Sequence, residues 1–274
     1  MTRTHIPDRF KDKVAIVTGG TAGIGLAIAT ELCREGAAVA LTGLPDDGER
    51  AARDLQDQGH AVRLFTGDMS DEGFCRSVVE DTVEAFGGLD HLVNNAFSFT
   101  AAGLDATTED WMRSFGVGPL GYARMVQLAA PQMKRRGGGS IVNVSSISGH
   151  IAQINRWTYN ASKGAVLQLT KCQALDLAAD GIRVNSLSPA WVWTREVDKA
   201  SKLDGGGREK WEPVWGRYHL LRRVADPVEM AGPALFLLSD DASFVTGSDL
   251  KADGGYLAVG PEGLGETTIN AGSS

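Results

Sequence analysis

Three groups of residues in this 274-residue chain have types and spacings that can do chemistry. Tyr159 and Lys163 stand four apart, which on a helix puts them on one face. An ammonium beside a phenol favours the phenolate and draws a tyrosine down from about 10. A tyrosine tuned in this way can exchange a proton with a substrate hydroxyl or carbonyl oxygen. Ser146 lies thirteen residues upstream, at the end of an apolar, β-branched run. Its hydroxyl can donate to a carbonyl oxygen and stabilise charge as it develops. The third group is Gly19-Gly20-Thr21-Ala22-Gly23-Ile24-Gly25, which follows another such run directly. Small residues let the backbone approach a pyrophosphate, and a helix opening there offers free N–H groups and a positive dipole end. No Gly-Lys-Ser/Thr follows, which disfavours a mononucleotide P-loop. Taken singly, the Tyr–Lys pair reads equally as an exposed helix pair, and the glycine stretch as a tight turn.

Those residues need a frame that brings them to one edge. Short β-branched runs alternate with longer amphipathic ones, the pattern of βαβ units around a parallel sheet. Strands are predicted over residues 14–18, 39–42, 62–67, 91–94, 140–145 and 183–187, with a last one near 247–252. Helices are predicted over 24–35, 49–58, 71–86, 109–115, 120–136, 160–180 and 227–238. The fold class is therefore α/β: a doubly wound, Rossmann-like parallel sheet in three αβα layers, with one domain over 1–274. In such sheets ligands bind outside the carboxyl ends of the strands. The glycine loop, Asn94-Asn95 and Ser146 all fall at that edge. Residues 191–225 break the rhythm and are expected to form a lid over the substrate. The Gly-, Ser- and Thr-rich tail from about 260 is expected to be loose.

Composition narrows the partners. The net charge of −7 argues against nucleic acid or an anionic membrane surface. No run approaches the roughly 18 to 20 apolar residues of a membrane helix. The first thirteen residues lack the apolar stretch of a secretory signal. Three cysteines, Cys33, Cys75 and Cys172, make neither a metal knuckle nor a disulfide framework. The chain reads as a cytoplasmic protein without a bound metal.

The combined motifs, from about Lys13 to Gly255, resemble the single-domain branch of the short-chain dehydrogenase/reductase family. The resemblance rests on Thr18-Gly19-x-x-x-Gly23-x-Gly25, Asp68, Asn94-Asn95-Ala96, the set Ser146, Tyr159 and Lys163, Ser188-Pro189-Ala190, and Asp253-Gly254-Gly255. It implies that Ser146, Tyr159 and Lys163 are catalytic in an NAD(P)-dependent alcohol dehydrogenase or carbonyl reductase. It implies a cofactor site made of Gly19, Thr21, Gly23, Ile24, Gly25, Asp68, Met69, Asn95, Ala96, Tyr159, Lys163, Pro189, Val192 and Thr194. Phe97, Ser148, His150, Trp157 and Trp193 are the substrate candidates. The substrate is expected to be a secondary alcohol or ketone: a small polyol, a sugar or a cyclic alcohol. A 3-oxoacyl-carrier-protein-type reductase and a non-catalytic nucleotide-binding protein are the alternatives. A homo-tetramer built through the helices over 120–136 and 160–180 is expected from the same resemblance.

Three positions depart from the family pattern. Phe97 stands where glycine is usual, and Ala190 replaces the glycine after Pro189. Gly118 falls where the family commonly has an asparagine that helps hold a relay water, so an altered proton relay is expected. Gly43 takes the usual acidic position at the end of the second strand, while Asp46 and Asp47 follow it and would repel a 2′-phosphate. NAD is expected over NADP. Five of the six tryptophans fall between residues 157 and 215. Trp191 and Trp193 are expected to point in opposite directions, so that only one faces the cofactor.

Overall fold

Along β1 (Val14–Val17), Ala15 and Val17 enter one hydrophobic cluster while Val14 and Ile16 enter another. Successive side chains of a strand point to opposite faces, so this strand is buried on both. The structure, a computed structural model, describes residues 4–260, and at 45–47 the backbone alone. The expected loose tail therefore lies outside the described residues, apart from its first position. Six further strands are β2 (Ala38–Gly43), β3 (Val62–Thr66), β4 (His91–Asn94), β5 (Gly139–Val144), β6 (Ile182–Pro189) and β7 (Asp249–Ala252). All pair in parallel, in the order β3-β2-β1-β4-β5-β6-β7. The chain order reverses between β1 and β4, and a crevice for a ligand opens at such a switch point.

Helices cover both faces. On one, α1 (Gly23–Arg34), α2 (Pro45–Gln56) and α9 (Val228–Leu238) supply Ile28, Leu32, Leu55 and Leu235 to the core. On the other, α3 (Glu72–Phe86), α5 (Gly121–Arg135) and α6 (Trp157–Leu177) supply Val78, Met125 and Ala174. A shorter helix, α4 (Thr108–Phe115), opens on a capping box between Thr107 and Asp110. It joins α5 through a π turn, Gly116–Leu120, that contains Pro119. A residue before proline avoids the helical region, and Gly118 lies outside it at ψ −113°.

The expected lid region holds two helices that the sequence pattern did not predict, α7 (Arg195–Leu203) and α8 (Gly207–Gly216). Gly205 and Gly206 between them, and Gly207 at the start of α8, all have positive φ. Among the described residues, no helix is long and apolar enough to cross a membrane, and no group of side chains suits a metal ion.

Candidate active site

The glycine loop leaves β1 at Thr18 and is tied to the end of β4. Thr18 Oγ1 accepts from the amides of Asn95 (2.9 Å) and Ala96 (3.0 Å). The Asn95 amide group donates in turn to the carbonyls of Thr18 (3.0 Å) and Gly19 (3.1 Å). From the other side, the Gly19 amide donates to Thr42 Oγ1 at 3.1 Å. Gly19 and Gly23 have φ of 62° and 53°, which suits glycine. A Cβ on Gly25 would stand 2.2 Å from the Gly19 carbonyl oxygen. Ala22, the N-cap of α1, makes no side-chain cap, so the first-turn amides of this helix are not spent on a side chain. A backbone pared to hydrogen at these positions, with a helix N-terminus facing it, fits a dinucleotide pyrophosphate.

The remaining expected cofactor residues lie on several elements. Thr21 is buried against Gly43, where an added Cβ would lie 2.3 Å from Thr21 Oγ1. The strand end thus has no room for the family's acidic side chain. The side chains of Asp46 and Asp47 lie outside the described residues. Ile24 is half-buried in the first turn of α1. Met69 is buried, and its sulfur accepts from Thr42 Oγ1. Burial pushes the Asp68 carboxyl up, but hydrogen bonds from Ser70 and Arg113 outweigh it and hold it below the usual carboxylate range. Arg113, on α4, is a partner that the sequence pattern did not single out. Pro189 ends β6, and buried Val192 forms an isolated bridge with Ala225. Thr194 caps α7 and would meet a Cβ on Gly23 at 3.3 Å, so α7 begins beside the glycine loop. Ala190 has no positive φ, and its loss of the family glycine costs the backbone nothing.

Ser146 follows β5 and caps the short turn Ile147–Gly149, accepting from the Ser148 amide at 3.1 Å. Its hydroxyl acts on the phenol of Tyr159, favouring the ionised form. Tyr159 and Lys163 lie in the first two turns of α6, with 9% and 3% exposure. The helix is held to β5 by Ser145 Oγ, which donates to the Lys163 carbonyl at 2.9 Å. Lys163 Nζ donates to the Val144 carbonyl at 2.9 Å. It lies 4.1 Å from the ring centroid of Phe97 and 5.8 Å from that of Tyr159.

The structure corrects one expectation about this pair. The Tyr159 phenol lies above its ordinary value, not below it. Burial raises it, against the lowering effects of the Ser146 hydrogen bond and the Arg156 charge. Lys163 is itself brought down from 10.5 to about 7 by burial. The Gly118 carbonyl accepts from the Gly121 amide.

Of the expected substrate residues, Phe97 is the one brought against the phenol, edge-on at 5.2 Å between ring centroids. Phe99, missed in the sequence, stacks on Tyr159 at 5.3 Å. The signal was present: residues two apart in extended chain share a face. Thr158 Oγ1 holds this loop to α6 through the Thr100 carbonyl (2.6 Å) and the Ala102 amide (3.0 Å). Ser148 is buried and donates to Gln153 Oε1 at 2.7 Å. His150 Nε2 meets Asp249 at 2.9 Å, on a carboxylate that also accepts from Ser186 and Ser188. Trp157 opens α6, half its surface in solvent. Trp191 and Trp193 do not diverge. Both pack on Trp215, at 4.6 and 5.6 Å, because residues i and i+2 of an extended segment line one side. Trp211 stacks on the same ring at 5.3 Å, so residues 191–215 have an aromatic core of their own.

A family model described as enoyl-(acyl carrier protein) reductase matches residues 19–257. The NADP-dependent (R)-specific alcohol dehydrogenase of Lentilactobacillus kefiri is 38% identical over 256 residues, covering 92% of this chain and 99% of that protein. The chain belongs to the short-chain dehydrogenase/reductase family. Cyclopentanol dehydrogenase of Comamonas sp. (strain NCIMB 9872) is 37% identical over 252 residues, 91% of this chain and 99% of that one. The ligand-free aldohexose dehydrogenase of Thermoplasma acidophilum superposes with a TM-score of 0.85 at 33% identity, over 93% of this chain and 98% of its own. As a member of this family, the protein is an NAD(P)-dependent oxidoreductase that interconverts a secondary alcohol and its ketone.

Proposed function

We propose that the substrate is a small cyclic or polyhydroxy secondary alcohol and that Ser146, Tyr159 and Lys163 carry the reaction. The observation that carries this is the meeting of the three residues at the end of β5: Ser146 follows the strand, Lys163 Nζ donates to the Val144 carbonyl at 2.9 Å, and the Ser146 hydroxyl favours the ionised Tyr159 phenol. In oxidation Tyr159 takes the proton of the alcohol, and in reduction it returns one to the carbonyl oxygen. Ser146 donates to that oxygen and orients it. Lys163 offers its remaining donors to the ribose and lends its charge to the phenol. A bound nicotinamide supplies or takes the hydride. Phe97 and Phe99 give the site apolar walls suited to a ring or a carbon chain. The relatives named for cyclopentanol and aldohexose support that substrate class.

NAD is the proposed cofactor. Position 43 offers no carboxylate and positions 22 and 44 no cation, while the acidic pair at 46 and 47 opposes a phosphate. Arg50 and Arg53 face acids of their own helix, Asp54 at 3.8 Å and Glu49 at 3.3 Å. The named preference of the Lentilactobacillus relative for NADP makes this a sharp test. A panel of cyclic alcohols, polyols and 3-oxoacyl thioesters, followed by nicotinamide absorbance with each cofactor, decides both points. Turnover of cyclic alcohols with kcat/KM for NAD at least tenfold above NADP is expected. Preference for the thioester, or for NADP, refutes the corresponding half. The assembly is proposed to be a cytoplasmic homo-tetramer through α5 and α6, where Leu120, just before α5, and Leu175 on α6 stand exposed; sedimentation at monomer mass contradicts it.

A further inference from the structure

Two departures from the family pattern, Phe97 and Gly118, meet in space. A Cβ built on Gly118 would lie 2.7 Å from Phe97 Cε2 and 3.3 Å from Cδ2. The ring cannot swing aside freely. It has the Lys163 ammonium over it at 4.1 Å, Tyr159 edge-on at 5.2 Å and Phe99 edge-on at 6.5 Å. Gly118 is fully enclosed in the π turn, with Pro119 behind it, so the backbone cannot retreat easily either. The Lys163 ammonium is then met by the Val144 carbonyl at 2.9 Å and by the Phe97 ring, with the Tyr122 ring further off at 5.9 Å.

The geometry points to Phe97 as a positioning residue for Lys163: its ring face, admitted by the missing side chain at Gly118, holds the ammonium that serves Tyr159. This inference rests on the reading of Lys163 and Tyr159 given above and adds to it how the ammonium is kept charged in a dry site. An aromatic face attracts a cation through its quadrupole, and most strongly where water is excluded. Burial alone brings Lys163 to about 7. The ring opposes that loss, so weakening its quadrupole lowers Lys163 further and leaves Tyr159 with less help in reaching the phenolate. The titratable groups facing this cluster are Tyr159 on α6 and Tyr122 on α5, with the Arg156 charge acting on Tyr159.

The test replaces Phe97 with mono-, di- and trifluorophenylalanine, which keep the shape and progressively empty the ring face. Lys163 is titrated by nitrogen-15 NMR in the full chain without cofactor. The alkaline-going limb of kcat/KM for alcohol oxidation is measured beside it. Each fluorine is expected to lower the Lys163 pKa, by about one unit in total, and to move the kinetic limb to higher pH by a similar amount. A Lys163 pKa unchanged to within 0.2 unit across the series, roughly a fifth of that expected shift, overturns the inference, whatever the kinetics. A shifted Lys163 in a protein that oxidises no alcohol overturns the catalytic reading instead and leaves this one standing. Coupling to Gly118 is read from Gly118→Ala, Phe97→Leu and the double variant. Gly118→Ala alone is expected to lose at least tenfold in kcat/KM, and most of that loss is expected to vanish when Leu replaces Phe97. Strict additivity refutes the pairing.

Discussion

Replacing Lys163 with methionine should remove a pH-dependent cost from the folded state. The side chain is 3% exposed, and burial holds its ammonium at about 7 against 10.5. A lowered folded pKa means that the unfolded chain binds the extra proton between those values. Wild-type stability therefore rises with pH from about 7 to about 10.5, and the cost is fully present below 7. At about 1.36 kcal/mol per unit the whole cost is roughly 5 kcal/mol. Methionine keeps the apolar stem and carries none of it. Losing the hydrogen bond to the Val144 carbonyl takes back about 1 to 3 kcal/mol, but at every pH alike. The Cys33 thiol, pushed up to about 12 by burial, titrates in both proteins and cancels in the difference. Between pH 7 and 9, the stability of Lys163→Met relative to wild type should fall by about 2.5 kcal/mol. Urea unfolding of both proteins at pH 7, 8 and 9 measures it. Two parallel stability curves over that range would refute the reasoning.

Two further substitutions test the cofactor edge. Gly43→Ala drives a Cβ to 2.3 Å from Thr21 Oγ1, and should raise the Kd for NAD at least about tenfold, a cost near 1.4 kcal/mol, in a fluorescence titration; an unchanged Kd contradicts the tight fit. Arg113→Ala removes the cationic partner of Asp68, a pair about two-fifths exposed. It should cost less than about 1 kcal/mol in thermal unfolding while raising the KM for the cofactor; a large loss of stability with unchanged KM would assign the pair to the fold alone.

The sheet was legible because inner strands such as β1 are buried and apolar on both faces, and all seven strands overlap their predicted runs. The start of α6 was not. Its buried positions follow helical spacing but are Thr158, Tyr159, Ser162 and Lys163, so hydrophobic periodicity is silent there and the helix begins at Trp157 rather than 160. Helices α7 and α8 escaped for another reason: their faces are charged, and Gly205 and Gly206 part them. Residue types and spacing were enough to single out Ser146, Tyr159 and Lys163, but not the sign of the tyrosine shift. That sign depends on burial, and burial depends on Phe97 and Phe99, which pack on the phenol from a loop far from it in sequence. The partnership of Phe97 with Gly118 joins residues twenty-one apart, and neither residue type announces it.

Turnover of Tyr159→Phe tests the central claim most directly. The substitution deletes one oxygen and keeps the ring contacts with Phe97 and Phe99. With fold and NAD affinity intact, alcohol oxidation should fall by about 10² to 10⁴; turnover within a few-fold of wild type would contradict the account.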